Sequence, residues 1–110
     1  MKVRTIPPAQ DDIRRSAARL ESEQRGFGAA FTREFKKAAA SIRANPRMHG
    51  RTEDGPDHPE NREYFIERFE YRVVYAIVDE EAVIVAVTHA RKPPGRWLNR
   101  LTDISPEDQS

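Results

Sequence analysis

The sequence predicts an α+β domain in which an N-terminal helical hairpin packs on a small antiparallel sheet. A short apolar segment opens the chain, two amphipathic helical segments follow it, and three strand-like segments come after them. With 110 residues the chain has room for one core. We therefore predict a single domain over residues 1–97, in the order β-α-α-β-β-β, and a partly disordered tail over residues 98–110.

The first strand and the first helix lie between residues 2 and 22. Residues 2–6 are predicted to form a short strand, which Pro7-Pro8 ends because proline cannot donate to a sheet ladder. From residue 8 to about residue 22, charged residues surround an apolar face with helical spacing, made of Ile13, Ala17 and Leu20. This spacing predicts a helix that buries one side only.

The second helix has the strongest periodic signal in the chain. Its apolar residues step by four, four, three and four positions: Phe27, Phe31, Phe35, Ala38 and Ile42. Asn45-Pro46 ends this helix, because proline disfavours the helical conformation in the residue before it. Only a few residues around Gly26 separate the two helices, so we expect an antiparallel hairpin. A long loop rich in Pro, Gly and charged residues follows over residues 45–61.

Three segments rich in β-branched and aromatic residues predict the remaining strands, at residues 62–68, 71–78 and 82–88. Residues 79–81, all acidic, supply a polar hairpin turn between the last two strands.

The length of that turn decides which side chains meet across the last hairpin. If Asp79 pairs with Ala82 around a two-residue turn, Arg72 lies directly opposite His89. A three-residue loop instead places Tyr71 opposite His89 and Arg72 opposite Thr88. Because a shift of one residue moves a side chain to the other face of a sheet, both registers stay open at the level of sequence.

Composition excludes several classes of protein. The chain has no cysteine, so neither a disulfide framework nor a thiolate zinc site is possible. We expect no metal and no cofactor, because the His, Asp and Glu residues show no recognised ligand spacing. No segment approaches the ~20 apolar residues of a membrane span, so we expect a cytoplasmic protein with no membrane contact. A net charge of +1 lacks the clear basic excess of a dedicated nucleic-acid-binding protein, so any RNA or DNA contact must come from a local patch.

Two local motifs and their order carry a resemblance to a known family. Residues 69–75, Phe-Glu-Tyr-Arg-Val-Val-Tyr, are similar to the strand motif common in RelE/ParE toxins of type II toxin–antitoxin systems. Residues 87–97 resemble the His-x-Arg-Arg-x-Pro-x-x-Trp ending of ParE-like members, and Asn45-Pro46 followed by Gly50 resembles the region after the family's second helix. The resemblance covers roughly residues 2–97 and is closer to the ParE-like members.

The resemblance implies a toxin that a cognate antitoxin, ParD-like or similar, neutralises within a hetero-oligomer. ParE-like members poison DNA gyrase by protein contact, whereas RelE-like members cut messenger RNA in the ribosome. The chain lacks the terminal tyrosine that RelE-like and YoeB-like nucleases place after the last strand. We therefore expect a growth inhibitor that acts on gyrase and is not an enzyme. An endoribonuclease and a non-toxic antitoxin-binding module of the same fold are the alternatives.

The candidate catalytic residues for the nuclease alternative are Arg72, His89 and Arg91. Arg72 matches the strand arginine that RelE-like nucleases keep, and arginine is suited to bidentate phosphate contacts. His89 could act as an acid or a base near neutral pH, and Arg91 would add positive potential. The structural alternative for Arg72 is a salt bridge with Glu67 or Glu70, and His89 could equally be a hydrogen-bonded structural residue.

A second set of residues is predicted to bind the antitoxin or the target. It comprises Phe27, Phe31, Arg91, Lys92, Arg96 and Trp97. The aromatic residues would supply apolar contact area and the cations would attract an acidic partner. The structural alternative is that Trp97 covers the core and that the cations are simply solvated.

Overall fold

The computed structural model describes residues 1–93 and 95–104, apart from the side chain of Asp103. The order β-α-α-β-β-β is confirmed, and a short 3-10 helix follows the last strand. The elements are β1 (Lys2–Thr5), α1 (Pro7–Glu23), α2 (Phe27–Ala44), β2 (Glu60–Ile66), β3 (Tyr71–Val78), β4 (Glu81–His89) and the C-terminal 3-10 helix (Leu98–Ile104). Neither α1 nor α2, in this described part of the chain, combines the length and apolar character that crossing a membrane requires.

The four strands form one mixed sheet in the order β1-β4-β3-β2. β3 pairs antiparallel with both β2 and β4, as predicted for the three late strands. β1 pairs parallel with β4, so the prediction of an entirely antiparallel sheet is wrong for this one strand. Parallel neighbours need a long crossover connection, and the helical hairpin together with β2 and β3 provides it.

The β3–β4 hairpin combines a tight turn with a bulge. The turn consists of Asp79 and Glu80, whose φ angles of 50° and 64° match the two-residue turns that suit the twist of a hairpin. A register shift then leaves Val85 as an extra residue on β4, and beyond it Tyr71 lies opposite His89. The second of the two predicted registers is therefore present, but a two-residue turn and a bulge produce it in place of a three-residue loop.

The core lies on both faces of the central strands. On one face, α2 buries Phe31, which packs edge-on against the ring of Tyr71 at 4.8 Å between centroids. Because side chains alternate along a strand, Val74 faces the opposite way, and it is also fully buried. Coverage on both faces explains why β3 and β4 are almost continuously apolar.

The turn between the two helices is held by a carboxylate. Gly26, the N-cap residue directly before α2, has a φ of 94°, a conformation that costs glycine little. Glu21 accepts hydrogen bonds from the backbone N–H groups of Gly26 and Gly28, and these bonds lower the pKa of the Glu21 carboxyl group. At Gly28 a Cβ atom would lie 2.9 Å from the carbonyl oxygen of Ala17, so only glycine allows the helices to approach this closely.

The chain beyond Trp97 continues in a folded segment. Leu98–Ile104 forms the 3-10 helix, and Ile104 is fully buried. Residues 105–110 lie outside the described residues, so the disorder predicted for the tail stays a prediction for that part.

Candidate functional site

Arg72 is held by two carboxylates on the face of the sheet that points away from the helices. Its Nε and Nη2 atoms donate to Glu63 at 2.9 and 3.0 Å, and Nη2 also donates to Asp54 at 3.1 Å. The side chain is only 15% exposed. The salt-bridge interpretation of Arg72 therefore describes its environment, but with Glu63 and Asp54 as partners in place of Glu67 or Glu70. Its guanidinium is already neutralised before any phosphate could approach.

Asp54 connects this ion pair to the segment that follows β4. It accepts a hydrogen bond from the backbone N–H of Gly95 at 2.9 Å as well as those from Arg72. Burial alone would raise the pKa of the Asp54 carboxyl group, but the hydrogen bonds and the charge of Arg72 outweigh it, so the pKa lies below its usual value. The long loop and the segment after β4 are thus fastened to β3 through one carboxylate.

His89 lies on the other side of the sheet from Arg72. Its cross-strand neighbour is Tyr71, whose ring it contacts edge-on at 5.3 Å between centroids. Its Nδ1 atom accepts a hydrogen bond from the backbone N–H of Arg91 at 3.1 Å. The structure therefore does not bring Arg72 and His89 together, and the paired acid–base and phosphate site that the nuclease alternative requires is not formed by these two residues.

His89 instead lines a cleft of about 350 Å³ between α1, the end of β4 and the C-terminal segment. Among the described residues that line the cleft, Asp12 supplies the single carboxylate. Five cationic side chains border the cleft: Arg15, Arg19, Lys92, Arg96 and Arg100. Arg19 also donates to the hydroxyl oxygen of Tyr71 and to Glu23, so its guanidinium is fixed at the wall of the cleft. The cleft is strongly positive, although the net charge of the chain is only +1.

Asp12 and Arg100 form the floor of this cleft. Arg100 donates to both carboxylate oxygens of Asp12, at 2.7 and 3.2 Å, and to the carbonyl oxygen of Val85 at 2.9 Å. Asp12 also accepts a hydrogen bond from the backbone N–H of Val87 at 3.0 Å. Sequence reasoning missed both residues, because 88 positions separate them and each looks like an ordinary charge on a helix or tail.

The residues predicted to bind a partner divide into buried and exposed groups. Phe31 is fully buried and Trp97 is 2% exposed, so neither side chain is on the surface that a partner would meet. Trp97 therefore covers the core, which was the structural interpretation of this residue. Phe27 is half-buried, with its ring 5.6 Å from that of Phe69.

The cations of the predicted set are exposed, in contrast to Phe31 and Trp97. Arg91, Lys92 and Arg96 all lie on the surface, and Lys92 and Arg96 stand at the rim of the cleft. Within residues 1–93 and 95–104, no three His, Asp or Glu side chains lie close enough together to hold a metal ion.

Comparison with known proteins identifies similar sequences and folds. The sequence model of a family described as "ParE toxin of type II toxin-antitoxin system, parDE" matches residues 3–94. Among solved structures, the isolated E. coli RelE toxin in its P21 crystal form superposes with a TM-score of 0.58 at 18% identity. That likeness covers 84% of this chain and 86% of the other and concerns the fold alone. A search of curated proteins finds no match.

Proposed function

This chain belongs to the ParE toxin family of type II toxin–antitoxin systems, and from that premise we propose that it arrests growth by binding DNA gyrase. In this proposal it acts by protein contact without cleaving a bond, and a cognate antitoxin neutralises it. The family match over residues 3–94 supports the toxin role, since it spans nearly all of the folded chain. The choice of gyrase over the ribosome is the further step.

The separation of Arg72 from His89 is the observation that carries this choice. Cleavage of RNA at the 2′-hydroxyl needs a proton acceptor and a cation positioned at the same phosphate. Arg72 donates to Glu63 and Asp54 on one face of the sheet, while His89 contacts the ring of Tyr71 edge-on on the other. An arginine neutralised in this way has a structural role, which favours inhibition by contact.

The exposed cations after β4 supply the contact surface of the proposed inhibitor. Arg91, Lys92 and Arg96 are exposed within six residues of chain, next to a segment that Asp54 and the buried Trp97 hold in place. Charged residues on a fixed segment speed association and select an acidic surface on the partner. We therefore place the target contact of the proposed inhibitor at this segment.

A ribosome-dependent endoribonuclease is the second candidate function. One observation favours it: His89 opens into a cleft bordered by cations, among them Arg19 and Lys92. A histidine beside such cations has the composition that phosphodiester cleavage requires, even without Arg72. This candidate makes His89 indispensable, whereas inhibition of gyrase by contact does not.

Growth arrest on induction of this chain alone separates the two candidates. Cells are pulse-labelled for DNA and protein synthesis, and purified gyrase is assayed for supercoiling with the purified chain added. The gyrase proposal expects DNA synthesis to fail first, supercoiling to be inhibited and His89→Ala to remain toxic. His58, exposed in the long loop, provides the matched control His58→Ala.

The opposite results identify the second candidate. If protein synthesis fails first, messenger RNA is cut, and His89→Ala but not His58→Ala abolishes the arrest, the chain is a nuclease. If no form of the chain arrests growth, it is a non-toxic member of the family.

A further inference from the structure

The exposed side of α2 carries positive charge and no exposed carboxylate. Seven residues of this helix are exposed, and each of them is either a cation or an alanine: Ala29, Arg33, Lys36, Lys37, Ala40, Arg43 and Ala44. The one carboxylate of α2, Glu34, has a side chain that is only 26% exposed. The four cations therefore form a continuous basic surface, which we call the α2 basic face.

The cations of α1 are neutralised, in contrast to those of α2. All three arginines of α1 form a salt bridge with a carboxylate of the same helix, three or four residues away. On α2 only Lys37 has such a partner among the described residues, at 3.4 Å. No described carboxylate forms a salt bridge with Arg33, Lys36 or Arg43. The positive potential of the α2 basic face is thus not cancelled locally.

Helical periodicity arranges these cations in two rows. Lys36 and Arg43 are seven positions apart and lie on nearly the same line along the helix. Arg33 and Lys37 form a second line, about 90° further around the axis, and Ala40 lies between the two. Ten positions separate Arg33 from Arg43, so the face is about 15 Å long. A face of this length can contact several phosphates of one duplex, which carries one charge per about 1.7 Å of its axis.

We propose that the α2 basic face binds the phosphate backbone of double-stranded DNA, with α2 lying at the major groove. Phosphate contacts need cations alone, and they supply nearly all of the affinity that does not depend on base sequence. The inference goes beyond the proposed function, because α2 takes no part in the contact with gyrase that we place after β4.

The composition of the α2 basic face favours duplex DNA over other anionic partners. A protein partner would need an aromatic or large apolar anchor, and a membrane would need apolar side chains that enter it, but the apolar residues exposed on α2 are alanines. Single strands are held largely by stacking on aromatic rings, and none of the three phenylalanines of α2 is exposed. Duplex RNA has a deep, narrow major groove, whereas the groove of B-form DNA, about 12 Å wide, admits a helix.

The experiment measures binding of the full chain to a short fluorescent DNA duplex of mixed sequence, by fluorescence anisotropy at several salt concentrations. If each of the four cations contacts one phosphate, the logarithm of the binding constant should fall with the logarithm of the salt concentration with a slope of about −3 to −4. One strand of the duplex alone, and an RNA duplex of the same sequence, should both bind more weakly. Gyrase is not added, so the result does not depend on the proposed function.

Paired charge variants locate the contact. Lys36→Gln with Arg43→Gln should weaken binding of the duplex about tenfold at low salt and make the slope shallower by about two, since each phosphate contact contributes about one. The matched control, Arg14→Gln with Arg51→Gln, removes the same charge from exposed side chains on α1 and in the long loop, each of which already has an acceptor within the chain. This control should change binding less than about twofold, because distant exposed charges are screened.

An exchange of the two cations separates loss of charge from loss of structure. Lys36→Arg with Arg43→Lys keeps both charges, so it should bind the duplex within about twofold of the wild-type chain and with the same slope. Urea unfolding of every variant should give the same midpoint, since all the substituted side chains are exposed.

Three outcomes overturn the inference. If the glutamine pair on α2 weakens binding no more than the control pair, the contact lies elsewhere or follows net charge alone. Tighter binding of the single strand or of the RNA duplex removes the assignment to duplex DNA. Absence of duplex binding by the folded wild-type chain at low salt removes the site altogether.

Discussion

Replacing Arg72 with alanine should destabilise the protein by about 3 kcal/mol at pH 7, because it leaves two partly buried carboxylates without a partner. The side chains of Arg72, Glu63 and Asp54 are 15%, 27% and 16% exposed, so water compensates only in part for the lost bonds. Four donor–acceptor contacts disappear, the longest of them 3.5 Å and therefore weak. The loss is expected to be smaller than for a fully buried pair but well above the effect of an exposed charge.

The pH dependence of this loss identifies its cause. The folded-state pKa of Asp54 lies below its ordinary value of 3.8, since Arg72 outweighs the effect of burial. A carboxyl group with a lowered pKa contributes stability that is present above the ordinary value and is lost as pH falls through the folded-state pKa. The difference between the wild-type chain and Arg72→Ala should therefore narrow as pH falls from neutral toward about 3.

Urea unfolding at several pH values measures this difference directly. Arg33→Ala, on an exposed part of α2, is the matched control and should change the free energy of unfolding by less than about 0.5 kcal/mol. Adding Glu63→Gln and Asp54→Asn to Arg72→Ala should recover part of the loss, because the unpaired charges are removed. The reasoning is refuted if Arg72→Ala costs no more than the control, or if its cost is the same at pH 3 and pH 7.

Three further perturbations follow from the packing. Phe31→Ala should lower the free energy of unfolding, measured with urea, by about 3 to 5 kcal/mol, since the ring is fully buried. A loss under about 1 kcal/mol would show that the ring is not in the core. Asp12→Ala removes both hydrogen bonds from Arg100 to the carboxylate and leaves only its bond to the Val85 carbonyl, so iodide should quench the fluorescence of Trp97, the only tryptophan, more strongly. Unchanged quenching would mean that the segment after β4 is held without Asp12. Burial raises the pKa of Tyr75 to about 12, so the free energy of unfolding should fall as pH rises above the ordinary pKa of 10.0. Tyr75→Phe should abolish this dependence in alkaline unfolding curves. The same variant should cost about 1 kcal/mol at pH 7, because it loses the hydrogen bond to the Pro46 carbonyl. An alkaline loss that persists in the phenylalanine variant would assign it to another group.

The structural role of Arg72 changes how loss of toxicity should be interpreted. An Arg72→Ala chain that no longer arrests growth has lost part of its folding free energy along with any catalytic group. His89→Ala removes a candidate acid or base and loses one hydrogen bond from a backbone N–H and the edge-on contact with the Tyr71 ring. Function should therefore be tested at His89 and at the cleft cations, and stability at Arg72.

Local pattern was sufficient for the elements of the fold. The spacing of Phe27, Phe31 and Ile42 predicted α2 and its buried face, because a helix places every third or fourth residue on one side. The β-branched segments predicted the late strands to within two or so residues. The parallel pairing of β1 was missed, since nothing in a four-residue strand encodes the direction of a neighbour that lies about eighty positions away.

The site was much less accessible to sequence reasoning. Arg72 and His89 were both candidate site residues, but a bulge at Val85 places them on opposite faces of the sheet. Such a bulge leaves no composition signal, because alanine, valine and isoleucine fill β4 on both of its sides. Exposure of Trp97 could not be inferred either, since a tryptophan suits both an interface and a lid.

The sequence by itself determined the order of the elements, the apolar faces of the helices and membership in the RelE/ParE group, because these depend on neighbours within a few positions or on a motif. The tertiary structure decided which charges meet. Asp12 and Arg100 close part of the edge of β4, and Arg72 is neutralised by Glu63 and Asp54. These pairs depend on sheet register and crossover, and register is set by the sum of turn, bulge and core packing over the whole chain.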